Sequence, residues 1–170
     1  MRNYAFTWDL LGDLESGRPN LGNLARIEVY RLMQYTLRDV IESRLGTEET
    51  DVVFYEAGKM AGKSFYEHFL AGAKNLAEFT EKLQNVLKEM KIGILRIESI
   101  AEDAKKLIFT VDEDLDCSGL PETGYEICVY DEGFIAGILE SFTGKGYFVK
   151  EIDCWSTGDR KCRFTADVMT

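Results

Sequence analysis

The 170 residues include one histidine and two prolines, and they hold no apolar run of membrane-spanning length. Each scarcity excludes something. Histidine-based catalysis has one candidate, His68, which reads as a packed or surface residue of a helix and lacks the sequence context of a haem-domain proximal histidine. So few prolines leave long helices unbroken. The longest clean apolar run inside a helical segment, Phe134–Leu139, falls far short of the roughly 20 residues a spanning helix needs. The N-terminal stretch MRNYAFTWDLLGDLESG has nothing like the apolar region of a signal peptide, so the expected location is cytoplasmic. Basic residues are also in deficit: 20 Lys and Arg against 30 Asp and Glu give a net charge of −10. Nucleic acid and anionic membrane surfaces are therefore excluded as expected partners. The acids concentrate in residues 101–140, a run read as solvated surface. No glycine-rich dinucleotide fingerprint follows a strand, which weighs against a nicotinamide-dependent reductase.

What is present fits one domain over residues 1–170, with 45% hydrophobic residues and 29% charged. A short strand is expected at Tyr4–Trp8. A long helix runs from Leu24 to Leu45, with Val29, Leu32, Met33, Thr36, Leu37 and Val40 at helical spacing and Gly46 as its stop. A second runs from Glu48 to Phe69 behind the capping Thr47. A third, opened by a capping box of Asn75 and Glu78, buries Leu76, Phe79, Leu83, Val86 and Met90. The period then changes to that of strands, at Ile94–Ile100 and Leu107–Asp112, joined by a turn at 101–105. An acidic loop at 113–124 leads to a fourth helix, Ile127–Phe142. The chain closes with a hairpin of Tyr147–Trp155 and Lys161–Val168. Helices first and hairpins later predict an α+β fold, helices packed on an antiparallel β-sheet.

The final hairpin carries the chemistry. Centred on Gly158, it makes Cys154 and Cys162 direct cross-strand neighbours, with Cβ atoms about 4.5–5.5 Å apart. Two thiolates on one tetrahedral zinc need sulfurs just under about 4 Å apart, which such a pair supplies. Cys128, in the first turn of the fourth helix where the dipole favours a thiolate, and Glu151 are the candidates for the remaining positions. Three cysteines and a glutamate make a closed structural site, with no open position for a catalytic water. Residues 151 and 154 point to opposite faces of a regular strand, so a shared metal requires a bulge near Ile152–Asp153. The alternative reading makes Cys154 and Cys162 two small buried hydrophobes.

These residues carry a family likeness. The stretch Cys128-Val129-Tyr130-Asp131-Glu132-Gly133-Phe134-Ile135-Ala136-Gly137, then Glu151-Ile152-Asp153-Cys154, then Gly158-Asp159-Arg160-Lys161-Cys162-Arg163-Phe164 resembles the 4-vinyl reductase domain family. Tyr55-Glu56-Ala57-Gly58 and Gly62 resemble it upstream. The likeness covers residues 25–168 and is most specific over 125–168. It implies a dimeric fold like that of vesicle-tethering (TRAPP) subunits, with an apolar pocket between helices and sheet. The implied function is a sensory module binding a small hydrophobic molecule. It also implies a structural zinc on Cys128, Glu151, Cys154 and Cys162. Cys117 has no counterpart in that pattern and reads as an incidental thiol. No catalytic residue is assigned.

Two enzyme readings compete. The family's name implies a reductase. Residues 57–64, AGKMAGKS, fit a loose phosphate-loop pattern in which Gly62, Lys63 and Ser64 hold a nucleotide. Against the latter, 48–69 reads as one helix with Gly58 and Gly62 on one face, small enough to admit another helix or a ligand. The paired acids at 112–116 read as solvated. On the first long helix, Ile27, Tyr30 and Ile41 lie off the main apolar stripe. That surplus predicts a second partner surface and a homodimer.

Overall fold

A computed structural model describes residues 3–101 and 105–169. Most of the expected turn at 101–105 lies outside them. The chain divides into two units, residues 1–44 and 45–170.

In the first unit, the expected strand at Tyr4–Trp8 is absent. Its place is taken by a 3-10 turn at Trp8–Leu11 and the short helix α1 (Leu14–Gly17), capped by Asp13. The helix α2 (Ile27–Leu45) follows. It buries none of its residues, and Val29, Leu32 and Met33 are 62%, 68% and 63% exposed. The stripe that periodicity assigns to a core is thus the exposed one.

The second unit holds the core. Helix α3 (Thr47–Phe65) continues into a single π turn, Tyr66–Leu70, and α4 (Leu76–Glu89) follows. Asn75 caps α4 by accepting from the Glu78 amide at 3.0 Å, while the Glu78 carboxylate accepts from the Lys74 amide. The expected reciprocal cap is therefore shifted by one residue. Strands β1 (Ile94–Ile100) and β2 (Lys106–Asp112) form a hairpin. Helix α5 (Val129–Thr143) comes next and ends at Gly144, whose φ of 71° suits glycine. Strands β3 (Tyr147–Asp153) and β4 (Cys162–Val168) complete an antiparallel sheet of order β1-β2-β4-β3.

Strand alternation puts Leu107, Phe109 and Val111 of β2, Phe164 and Ala166 of β4, and Tyr147 and Val149 of β3 on one buried face. The α5 and α4 helices cover that face, and Phe79 stacks on Phe142 at 4.0 Å. Fold class and layer order thus follow the pattern of the sequence.

The tightest contact joins α3 to α5. A Cβ added at Gly58 would overlap the Tyr130 carbonyl oxygen, and one at Gly62 that of Phe134. Reciprocally, Gly133 lies against the Tyr55 carbonyl and Gly137 against that of Lys59. Four glycines, paired one turn apart on each helix, let the two backbones touch. This disposes of the phosphate-loop reading. Residues 57–64 form a continuous stretch of α3 whose small residues face another helix. Lys63 pairs with Glu140 of α5, as does Lys59. His68 sits exposed in the π turn, its ring nitrogen 2.8 Å from the Ser64 carbonyl oxygen.

Gly62→Ala or Gly133→Ala is expected to cost about 3 kcal/mol or more, because backbone rather than a flexible side chain blocks the added methyl. Gly17→Ala, which meets open space, should change stability little. Urea melts of the three variants check this.

Candidate metal centre and the hollow beside it

Four cysteines converge where β4, the end of β3, the start of α5 and the 113–120 loop meet. The sulfurs of Cys117, Cys128, Cys154 and Cys162 all lie within 4.8 Å of one another, and all four residues are fully buried. Cys128 Sγ is 3.9 Å from Cys154 Sγ and 3.8 Å from Cys162 Sγ. Thiolates at about 2.3 Å from one tetrahedral zinc stand about 3.8 Å apart, so these separations fit. Cys117 Sγ is 3.0 Å from Cys162 Sγ. Cys117, expected to stand apart, is a member of the cluster.

Local structure explains the convergence. The pairing of β3 with β4 slips between Glu151 and Asp153, so that both Glu151 and Cys154 are buried. This is the irregularity that a shared site requires. Beyond it Asp153 faces Arg163, the register that a hairpin centred on Gly158 predicts. Cys154 lies one residue past the strand, as the cap of a 3-10 turn at Trp155–Thr157. The Ser156 hydroxyl is 3.0 Å from Cys154 Sγ. Cys128 caps α5, and its amide donates to Glu151 Oε2 at 3.2 Å. Glu151 Oε1 is buried and has no hydrogen-bond partner. Glu132, also buried, accepts from the Glu151 amide and pairs with Lys150 at 2.8 Å.

The acidic loop is not solvated throughout. Asp114 and Asp116 are 4% and 3% exposed. Asp114 Oδ1 accepts from the amides of Asp116 (2.8 Å) and Cys117 (3.1 Å), a cap-like turn that sets the Cys117 side chain toward the other sulfurs. The signal available in the sequence was the spacing of Asp114 and Cys117, three residues apart.

The electrostatics are those of crowded acids. The thiols of Cys117, Cys128 and Cys162 around Cys154 hold it far below the ordinary thiol value. Contact with Cys117 pushes both Cys128 and Cys162 upward. Burial, reinforced by Cys154, raises Glu151 to about 9. Burial and Asp116 raise Asp114 to about 7. Burial also raises Asp131, with Asp116 and Asp114 adding to it.

Beside this cluster lies a hollow between α4, the β1–β2 hairpin and α5. Leu83, Leu95, Phe109, Phe134 and Ile138 are among its lining residues. It is partly open to solvent, with a cavity volume of about 50 Å³. The lining is apolar except for Thr80, Asp114 and Asp131 among the described residues, and Asp131 Oδ2 is buried without a partner. The two acids lie at the cysteine end, because Asp114, Asp131 and Cys128 share a second group of close donor atoms. Phe79, Phe109 and Phe134 line this hollow, whereas Phe148 is exposed.

The 4-vinyl reductase domain profile matches residues 107–167, the segment carrying all four cysteines. An uncharacterized protein of Methanocaldococcus jannaschii is 30% identical over 145 residues, covering 85% of this chain and 78% of that protein. The chain belongs to the 4-vinyl reductase domain family. A vinyl-4-reductase family protein from M. jannaschii shares its fold over 99% of this chain and 100% of its own, at TM-score 0.62 and 19% identity. The phenol-responsive sensory domain of the transcription activator PoxR, solved with phenol, matches 86% of this chain and 76% of its own at TM-score 0.64 and 15% identity. A trafficking protein particle complex subunit 3 from Naegleria fowleri, covalently bound to palmitic acid, matches 85% and 95% at TM-score 0.64 and 14% identity. The family fold is thus like that of the vesicle-tethering subunits. No helix among the described residues is long and apolar enough to cross a membrane.

A pH dependence follows for the metal-free chain. Carboxyl groups whose folded values are raised bind more protons folded than unfolded, so stability falls as pH rises. The loss begins at the ordinary carboxylate range and completes through the folded values of about 7 for Asp114 and about 9 for Glu151. The lowered Cys154 thiol works in the opposite sense, but the raised Asp114, Asp131 and Glu151 outnumber it, so the melting temperature of chelator-treated protein is expected to decline from pH 5 to pH 9. Glu151→Gln should flatten the upper part of that decline.

Proposed function

We propose that the chain is a sensory-type binding module for a small apolar molecule, with a zinc ion as the structural anchor of one end of its pocket. The observation that carries this is the apolar hollow with buried Asp114 and half-buried Asp131 at one end, set against four buried cysteines. A small apolar ligand in this hollow would have the unpartnered Asp131 oxygen as a polar contact. PoxR, a fold neighbour solved with phenol, supports the ligand class. The donor set supports the metal. Zinc favours thiolates, and an orphaned carboxylate oxygen at Glu151 lies beside them. Cys128, Cys154 and Cys162 supply three positions. The fourth lies between Glu151, which the family likeness assigns, and Cys117, which joins the same cluster. Zinc so enclosed supplies folding energy rather than an open catalytic coordination position. No catalytic residue is proposed, and a cytoplasmic location is the accompanying expectation.

The exposed apolar stripe of α2 supports the homodimer. Val29, Leu32 and Met33 on consecutive turns form a surface of the kind that a two-fold partner covers.

Protein purified without chelator is expected to hold one zinc per chain by metal analysis, and Cys162→Ser should lower stability more than ligand affinity. Zinc far below one per chain defeats the metal reading. For the pocket, native mass spectrometry is expected to find an apolar molecule co-purifying, and Leu83→Trp should expel it with the fold retained by circular dichroism. No binding of MgATP is expected, and micromolar binding abolished by Lys63→Ala would overturn the pocket reading. Light scattering should give twice 19.3 kDa, falling to the monomer mass in Leu32→Glu/Leu37→Glu.

A further inference from the structure

We infer that the fourth ligand of this centre is the Cys117 thiolate, so that the metal is held by four sulfurs while Glu151 remains in its outer sphere. The inference rests on the zinc reading above and departs from the three-cysteine, one-glutamate pattern that the family likeness implies.

Three observations lead to it. The side chains whose donor atoms all lie within 4.8 Å of one another are Cys117, Cys128, Cys154 and Cys162, and Glu151 is outside that group. Cys117 Sγ stands 3.0 Å from Cys162 Sγ, well beyond a disulfide of about 2.05 Å but closer than the roughly 3.8 Å of two thiolates on one zinc, so this pair must open slightly to share the ion. Glu151 Oε2 accepts from the Cys128 amide, the position of an outer-sphere group that orients a ligand, and its Oε1, which has no partner, is left to take a hydrogen bond beside the sulfurs. A tetrahedral ion offers four positions, and the four sulfurs fill them. Soft donors outrank a carboxylate for zinc. On binding, the thiols give up their protons to solvent, and four zinc–sulfur bonds form with no change of oxidation state.

The choice of Cys117 matters for the hollow. Its amide and that of Asp116 both donate to Asp114 Oδ1, and Asp114 lines the hollow. A metal bound through Cys117 therefore fixes the loop that presents Asp114. A metal bound through Glu151 leaves that loop held near the cluster by hydrogen bonds such as that from Trp155 Nε1 to the Leu120 carbonyl, with no bond to the ion.

Zinc-edge X-ray absorption of the full-length, zinc-loaded protein tests this. The expected first shell is four sulfurs at about 2.3 Å in the natural protein and in Glu151→Gln. Cys117→Ser should give three sulfurs and one lighter donor. Glu151→Gln should weaken zinc binding by about 10–100-fold, the usual effect of losing an outer-sphere partner, and Cys117→Ser by more. Three sulfurs and one oxygen in the natural protein would overturn the inference and leave zinc in place. So would a Cys117–Cys162 disulfide in the zinc-loaded protein. Absence of zinc altogether would overturn both this inference and the metal reading. Should Cys117→Ser fail to fold, the natural protein and Glu151→Gln still decide by their sulfur count.

Discussion

Gly58 and Gly62 of α3 rest against the backbone of α5, and Gly133 and Gly137 of α5 rest against that of α3. Most of the other features require this contact. It fixes α5 along the sheet, which brings Cys128 at its first turn to the end of β3 and sets Phe134 and Ile138 over Phe109. A side chain of any size at these four positions would push the helices apart by the depth of a methyl group. Dense interiors do not absorb such a shift locally. The pairs Lys59–Glu140 and Lys63–Glu140 flank the contact and hold Glu140 below the ordinary carboxylate range. At the surface they set register more than they add stability.

The centre and the hollow share a wall. Asp114 accepts from the Cys117 amide and faces the hollow, and Asp131 lies one helical turn beyond Cys128 on α5. Charge at the sulfurs and charge at the pocket's polar end are therefore coupled at short range and in low dielectric, where a carboxylate is disfavoured unless it meets a partner. An apolar hollow with one acidic corner follows from where the cysteines sit.

Much of this was legible in the sequence, for reasons tied to particular residues. Gly58 and Gly62 read as a small-residue face because both lie within an unbroken helical period. The hairpin register past Gly158 followed from symmetry, and the need for a bulge near Ile152–Asp153 followed from the opposite parity of 151 and 154. Other features depended on contacts remote in the chain. Cys117 lies 45 residues from Cys162, and no local period links them. Asp114 and Asp116 looked solvated because composition counts charges without the amides that satisfy them. The apolar stripe of α2 has helical spacing, but spacing alone does not say whether it faces a core or solvent.

The Lys63–Glu140 pair joins residues 77 apart in the chain, and the glycine faces beside it are as widely separated. Contacts of such span close only after the intervening segments are placed, which makes folding slow for a chain of this size. During synthesis α3 leaves the ribosome long before its partner exists. Until α5 emerges, its glycine face stays open to water, and glycine is a poor helix former. The same residues that allow close packing in the finished molecule thus leave α3 poorly self-supporting in the nascent one.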